Sequence, residues 1–214
     1  MVNAREREAV EAIAPGSPVH VLTNGVDVDY YRRRSESGTA STSVVFCGVM
    51  DYQPNADGVL WFVEHVWPLV RAQCPTATFT IVGSRPVRAV RRLDGESGVV
   101  VTGTVADVRP FLWNAAVSVA PLHVARGLQN KVLEAIAAGL PVVATSAVIG
   151  GIPHEALGAC TRADDPAQFA AAVSSLLHME PFERMALVQR ADLSGLTWAS
   201  RMRVLPQLIA NAVA

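Results

Sequence analysis

Arg126-Gly127-Leu128-Gln129-Asn130-Lys131-Val132-Leu133-Glu134-Ala135-Ile136-Ala137-Ala138-Gly139-Leu140-Pro141-Val142-Val143-Ala144 is the stretch that decides the fold. A glycine turn leads into a helix whose first turn carries the amide of Asn130 and the ammonium of Lys131. Glu134 follows on the same helical face as Asn130, four residues on. Gly139 stops the helix, and Pro141 opens a short apolar strand. A helix that begins at the carboxyl edge of a parallel sheet turns free N–H groups and the positive end of its dipole toward a ligand, which suits an anion. A carboxylate one turn further in suits a pair of sugar hydroxyls. Phosphate beside ribose means a nucleotide.

Outward from this run the chain keeps a strand–helix rhythm. Short apolar runs at residues 44–47, 78–82, 99–102, 116–120 and 142–144 read as strands, and several end in a glycine or proline turn: Gly48, Gly83, Gly103 and Pro121. Between them, helical spacing covers residues 57–71, 87–93 and 105–113, with Pro68 expected to kink or shorten the first. Three further helices are expected at 166–178, 181–193 and 197–213. Near the start, residues 3–13 read as an amphipathic helix, 19–22 as a strand and 32–42 as a loop. Short apolar strands alternating with helices predict an α/β fold: a doubly wound, Rossmann-like parallel sheet covered on both faces. Ligands of such sheets bind outside the carboxyl ends of the strands, where the strand order reverses. Glycines at those ends let backbone approach a ligand, although each alone also fits an ordinary strand-to-helix turn.

Composition removes several classes. Half of the 214 residues are hydrophobic and 17% are charged, enough for a buried core and unlike a disordered chain. A formal net charge of −1 provides no basic footprint, so nucleic acid is not expected as a partner. No apolar stretch reaches the roughly 18 residues of a membrane helix, and no secretory signal is evident. Cys47, Cys74 and Cys160 leave one thiol unpaired in any disulfide scheme, which together with the missing signal favours the cytoplasm. Neither the cysteines nor the histidines show metal-ligand spacing. The G-x-G-x-x-G fingerprint, the Walker lysine and a nucleophile elbow are all missing, which argues against a dinucleotide cofactor and against Ser-His-Asp chemistry.

Five landmarks in order carry a family resemblance. They are Asn24-Gly25-Val26-Asp27, the loop from Phe46 through Gly48, Met50 and Pro54 to Asn55, the run Ile81-Val82-Gly83, the turn Gly103-Thr104-Val105, and Lys131 through Glu134 and Pro141 to Ala144. Together they resemble the C-terminal, nucleotide-sugar-binding domain of a GT-B glycosyltransferase of family 4, also called group 1. The subgroup most similar in its A-R-G-x-Q-N-K-V-L-E-A run is that of exosortase- and exopolysaccharide-associated sugar transferases. The resemblance covers nearly the whole chain. It implies residues 1–18 as the tail of a missing N-terminal acceptor domain and linker, 19–195 as the donor-nucleotide domain and 196–214 as a cross-over helix. It also implies a retaining, metal-independent hexosyltransferase that uses no cofactor and takes a UDP- or GDP-type sugar. The acceptor would be a glycan or a lipid-linked molecule, reached at the inner face of the membrane.

The same resemblance places the site. Backbone amides at Gly127, Leu128 and Gln129 would meet the distal phosphate, with Arg126 and Lys131 as the catalytic cations that stabilise the departing diphosphate. Glu134 would accept the ribose hydroxyls beside Asn130, and Gly103, Thr104 and Val105 would border the base. Gly48, Asn55 and Gly83 complete the expected nucleotide-sugar contacts. Two departures matter. The family's Glu-x7-Glu pattern puts a first glutamate where Arg126 stands, and Val49 and Asn55 stand near the places of the usual basic residues of the first glycine loop.

Blander readings accompany each residue. Lys131 and Glu134 are three apart and suit a surface ion pair. Asp51 and Asn55 suit caps of the following helix. Trp61 and Trp67 at helical spacing suit core packing, and His123 and Asp107 suit loop and surface positions. At the level of function, a nucleotide-sugar 2-epimerase shares the two-domain architecture but needs an acid–histidine cluster not seen here. A non-catalytic nucleotide-binding module is kept open by Arg126. The isolated chain is expected to bind a nucleotide diphosphate weakly and to transfer no sugar, and its uncovered domain face to favour self-association.

Overall fold

The computed structural model describes residues 4–16, 19–33 and 41–213. Six strands form one sheet in the order β3-β2-β1-β4-β5-β6: β1 (Ser43–Cys47), β2 (Thr78–Val82), β3 (Val99–Gly103), β4 (Val117–Ala120), β5 (Val142–Ala144) and β6 (Cys160–Arg162). Every pairing is parallel. The central strands are apolar on both faces because helices cover both: all of β4 and β5 and the middle of β1 are buried. The outer strands β3 and β6 are partly exposed, which suits their mixed composition.

The helices are α1 (Ala4–Ile13), α2 (Val28–Tyr31), α3 (Gln53–Trp61), α4 (Trp67–Gln73), α5 (Arg88–Arg91), α6 (Arg109–Trp113), α7 (Asn130–Ala137), α8 (Ser146–Ile149), α9 (Pro166–His178), α10 (Pro181–Val188), α11 (Trp198–Met202) and α12 (Leu205–Val213). From β1 the chain winds outward through β2 to β3, then crosses to β4 and winds the other way. The order therefore reverses between β1 and β4, and a crevice opens outside their carboxyl ends.

The core on one face is aromatic. Phe62 lies 4.7 Å from Phe79 and 5.6 Å from Phe169 between ring centroids, and Trp67 packs at 5.7 Å from Phe79. Trp67 is buried, with its indole N–H donated to the Ser97 carbonyl at 3.0 Å. Pro68 has the expected effect by a specific route. It cannot donate a helical hydrogen bond, and the turn before it, Phe62–Val66, widens to a π-helix in which the Trp67 N–H reaches the Phe62 carbonyl. Gly58 on α3 lets this helix settle on the end of β4: an added Cβ would lie 2.7 Å from the Pro121 carbonyl.

Strands β2 and β5 and helix α9 fall on the expected residues. Other expectations are corrected. Residues 19–22 form no strand: among the described residues nothing pairs with the segment, and a single isolated bridge nearby joins Val26 to Thr197. The helix expected at 105–113 begins at Arg109, after Asp107 accepts hydrogen bonds from the Arg109 N–H and guanidinium. The helices expected at 87–93 and 181–193 end early, at Arg91 and Val188. The closing helix expected at 197–213 is broken after Met202. Three short elements carried no periodicity long enough to read, namely α2, α8 and β6. The loop expected at 32–42 lies in part outside the described residues, as does the boundary expected after residue 18.

Candidate functional site

Two turns form the floor of the crevice and are stitched together by backbone. The Gly48 N–H donates to the Val82 carbonyl at 3.0 Å, and the Met50 N–H to the Ser84 carbonyl at 2.8 Å. Asp51 and Arg85 close the seam as an ion pair at 2.7 Å. Gly83 (φ +157°) makes this possible, because a Cβ there would overlap the Gly48 carbonyl at 1.6 Å. The space released by Gly83 is thus filled by protein. Gly103 differs: its φ is +66° and nothing lies within 4 Å of an added Cβ, so its approach side is open. Beside it Thr104 is exposed and Val105 leans on the core.

Lys131 sits in the first turn of α7 and reaches back across the switch point to the loop after β1. Its Nζ donates to Asn55 Oδ1 at 2.5 Å and stands 4.4 Å from the centre of the Phe46 ring. Asn55 is 5% exposed and its amide donates to the Val49 carbonyl at 2.9 Å. Gly48 leaves room for this pair: an added Cβ would come within 2.8 Å of Asn55 Nδ2 and 3.0 Å of Lys131 Nζ. Asn55 is thus not a helix cap, and Lys131 is not a surface ion-pair partner. No carboxylate among the described residues lies within ion-pair distance of its ammonium. Burial lowers the Lys131 pKa from 10.5 to about 8.

Glu134 leaves the same helix one turn later and faces α2. Burial raises its pKa, opposed by a hydrogen bond from the Tyr31 hydroxyl and by the charge of Lys131. Burial first, then the Glu134 carboxylate, pushes the Tyr31 phenol up. Cys47, at the end of β1, lies within the field of both charges; burial and Glu134 push its thiol up to about 12, against the opposing pull of Lys131. A cleft of about 320 Å³ opens here, lined by Gly25, Asp27, Tyr30, Asn130, Glu134 and Trp198. Gly25 brings the two ends of the domain together, since a Cβ there would lie 2.5 Å from the Trp198 nitrogen.

The loop before α7 is divided in orientation. Gly127 takes a left-handed φ of +63°, and its carbonyl packs on Gly151, where a Cβ would meet it at 2.5 Å. Leu128 turns to the core. The Gln129 side chain donates to the Arg126 carbonyl at 3.1 Å, and Asn130 Oδ1 accepts from Asn24 Nδ2 at 3.4 Å. Arg126 itself is exposed; among the described residues its carbonyl is engaged by Gln129 and its guanidinium makes no ion pair. The two expected cations therefore differ: Lys131 is held inward and Arg126 points to solvent.

Tyr31, Asn24 and Cys47 are the site neighbours that sequence reasoning missed. Asn24 opens the Asn24–Asp27 landmark and Tyr31 follows it by four residues; the landmark carried a signal for the domain start but none for proximity to α7. His123, expected as a loop residue, packs edge-on against Trp61 at 4.5 Å. A second cavity of about 300 Å³ lies by the C-terminal end of α7 and the entry to β4, lined by Trp113, Ala115, Leu140 and Met185, and contains none of the expected site residues.

No curated protein matches the chain by sequence. Solved structures share its fold. TarM of S. aureus, in a mutant form with fondaparinux, alpha-GlcNAc-glycerol and UDP, superposes with a TM-score of 0.74 at 14% identity, over 98% of this chain and 42% of that one. Anabaena HepE in complex with UDP gives 0.71 at 17% identity, over 97% and 62%. The pneumococcal O-GlcNAc transferase GtfA with UDP and GlcNAc gives 0.68 at 16%, over 100% and 44%. The chain thus spans between 42% and 62% of the length of these proteins. The Rossmann-like sheet is that of GT-B glycosyltransferases. The family described as glycosyl transferases group 1 matches residues 41–179. On that match, the chain belongs to the group 1 glycosyl transferases.

Proposed function

We propose that this chain is the donor-binding half of a retaining, metal-independent glycosyltransferase that moves a sugar from a UDP- or GDP-type donor to a glycan or lipid-linked acceptor in exopolysaccharide assembly. The observation that carries the reading is Lys131: an ammonium largely withdrawn from water at the switch point of a parallel sheet, held by a neutral amide and an aromatic face, with no carboxylate among the described residues within ion-pair distance. A buried cation without an anion is costly. An arriving diphosphate supplies the missing charge, and the N–H groups at the start of α7 add to the attraction. As the glycosidic bond breaks, negative charge grows on the leaving diphosphate. A fixed cation and aligned dipoles stabilise that charge without reorganising.

The remaining parts fall into place around this cation. Glu134 would take the ribose hydroxyls, and the open side of Gly103 leaves room for the base. Titration calorimetry of UDP, GDP, ADP and TDP against the chain tests the reading, repeated with Lys131→Ala and Glu134→Gln. Loss of affinity in both variants is the expected result; unchanged binding in both places the nucleotide elsewhere. The exposure of Arg126 favours a second reading, a nucleotide-binding module without transfer activity. Sugar transfer by a longer protein carrying this domain, reduced by Lys131→Ala, decides between them.

A further inference from the structure

Asn55 joins two parts of the site that the chain delivers separately. Its backbone N–H donates to the Tyr52 carbonyl at 2.9 Å in the first turn of α3, and the residue is 5% exposed. Its side chain bridges in a fixed sense. Nδ2 donates to the Val49 carbonyl at 2.9 Å, closing the glycine loop after β1, and Oδ1 accepts from Lys131 Nζ at 2.5 Å. The reverse orientation would set the amide N–H groups against an ammonium and the amide oxygen against a carbonyl, so the two neighbours together decide it. A lysine ammonium carries three donors and no acceptor. Asn55 takes one, the centre of the Phe46 ring lies 4.4 Å from the nitrogen, and no second acceptor among the described residues bonds to it.

We infer that Asn55 is a positioning residue: it fixes the Lys131 ammonium at the glycine loop without spending its charge, so that the remaining donors and the whole charge meet a diphosphate. The inference rests on the nucleotide-binding reading of this site. Two substitutions separate aim from charge. Aspartate keeps an oxygen where Asn55 Oδ1 stands, but it brings the negative charge that the ligand would supply, and the resulting ion pair competes with the ligand. Alanine removes the acceptor and leaves a flexible four-carbon stem to find its own direction. A neutral acceptor aims the cation and leaves it unneutralised.

The test compares UDP with UMP, and GDP with GMP, by titration calorimetry on the chain and on Asn55→Asp, Asn55→Ala, Lys131→Ala and the double variant Asn55→Ala with Lys131→Ala. The ratio of diphosphate to monophosphate affinity is the readout, because a merely structural loss weakens both nucleotides alike. The natural chain is expected to prefer the diphosphate by about tenfold or more, the scale of one hydrogen bond to a charged group. Asn55→Asp is expected to bring the ratio down to that of Lys131→Ala, and Asn55→Ala to lower it several-fold. The double variant should lose no more than Lys131→Ala alone. Asn55→Asp turns an oxygen toward the Val49 carbonyl, so thermal melts check that it folds, and Asn55→Ala carries the test if it does not. NMR titration of Lys131 is a second readout: in Asn55→Asp its pKa should rise above the natural value near 8 by about one unit or more. A ratio unchanged in the Asn55 variants overturns the inference and leaves the nucleotide site standing. A Lys131 titration unmoved in folded Asn55→Asp overturns it too, since the two side chains would then not touch. Equal affinity of the natural chain for diphosphate and monophosphate overturns it as well, by removing Lys131 from the distal phosphate. Failure of the natural chain to bind either diphosphate overturns the site reading, and the inference with it.

Discussion

Lys131 Nζ lies 2.5 Å from Asn55 Oδ1, joining the first turn of α7 to the first turn of α3 across 76 residues of sequence. This contact places a cation at the junction of β1 and β4, where the strand order reverses. The native fold bears its cost. With a pKa lowered from 10.5 to about 8, the ammonium destabilises the folded state by about 3 kcal/mol below pH 8, where it is charged in both folded and unfolded chains. Between about pH 8 and 10.5 the folded group is neutral while the unfolded one is still charged, so this cost disappears as pH rises.

Lys131→Met should therefore raise the stability of the unliganded chain at pH 7. The net gain is about 1 kcal/mol, because Asn55 Oδ1 loses its donor and offsets part of the relief. Urea unfolding at pH 7 and pH 10 checks this. The gain should be clear at pH 7 and shrink at pH 10. A variant less stable than the natural chain at both values would show that Lys131 holds the fold together.

The three strand-end glycines should respond differently to alanine. Gly83→Ala forces a Cβ onto the Gly48 carbonyl and should be the most damaging, at about 3 kcal/mol or more, since backbone must move. Gly48→Ala should cost less in stability, because the Asn55 and Lys131 side chains can shift, but should weaken nucleotide binding strongly. Gly103→Ala meets no atom and should cost only the strain of a left-handed backbone, about 1 kcal/mol. Thermal melts beside nucleotide titrations test this order. Equal melting losses at all three positions would contradict it.

Cys47 and Cys160 should resist alkylation. Burial pushes both thiols up to about 12, so almost no thiolate exists at pH 8. Mass spectrometry after iodoacetamide treatment of the folded chain should find both unmodified, with labelling appearing in urea. Rapid labelling of Cys47 in the folded chain would mean that the field of Lys131 outweighs burial and Glu134.

Much of the fold was legible because its signals are local. Short apolar strands closed by glycine, and the α7 stop at Gly139, follow from periodicity and turn chemistry. The stop is a Schellman motif, with the Leu140 N–H bonded to the Ala135 carbonyl and the Gly139 N–H to the Ile136 carbonyl, both at 2.9 Å. The site was legible in its residue types but not in their directions. Spacing suggested that Lys131 and Glu134 could pair, whereas Asn55, 76 residues away, takes the ammonium and the two charges stay beyond ion-pair distance. Gly83 read as an approach to a ligand and is instead the contact that joins two loops. The segment at 19–22 has the composition of a strand, but a strand needs a partner, and among the described residues it has none.

The most direct measurement is the titration of the Lys131 ammonium by NMR, with and without a saturating nucleoside diphosphate. Free, its pKa should lie near 8, the value that burial imposes. On binding it should rise by at least about one unit, as a diphosphate beside a buried ammonium favours the charged form, and nucleotide affinity should decline as pH climbs past 8. A nucleotide that binds tightly while leaving the Lys131 titration unchanged would contradict the account.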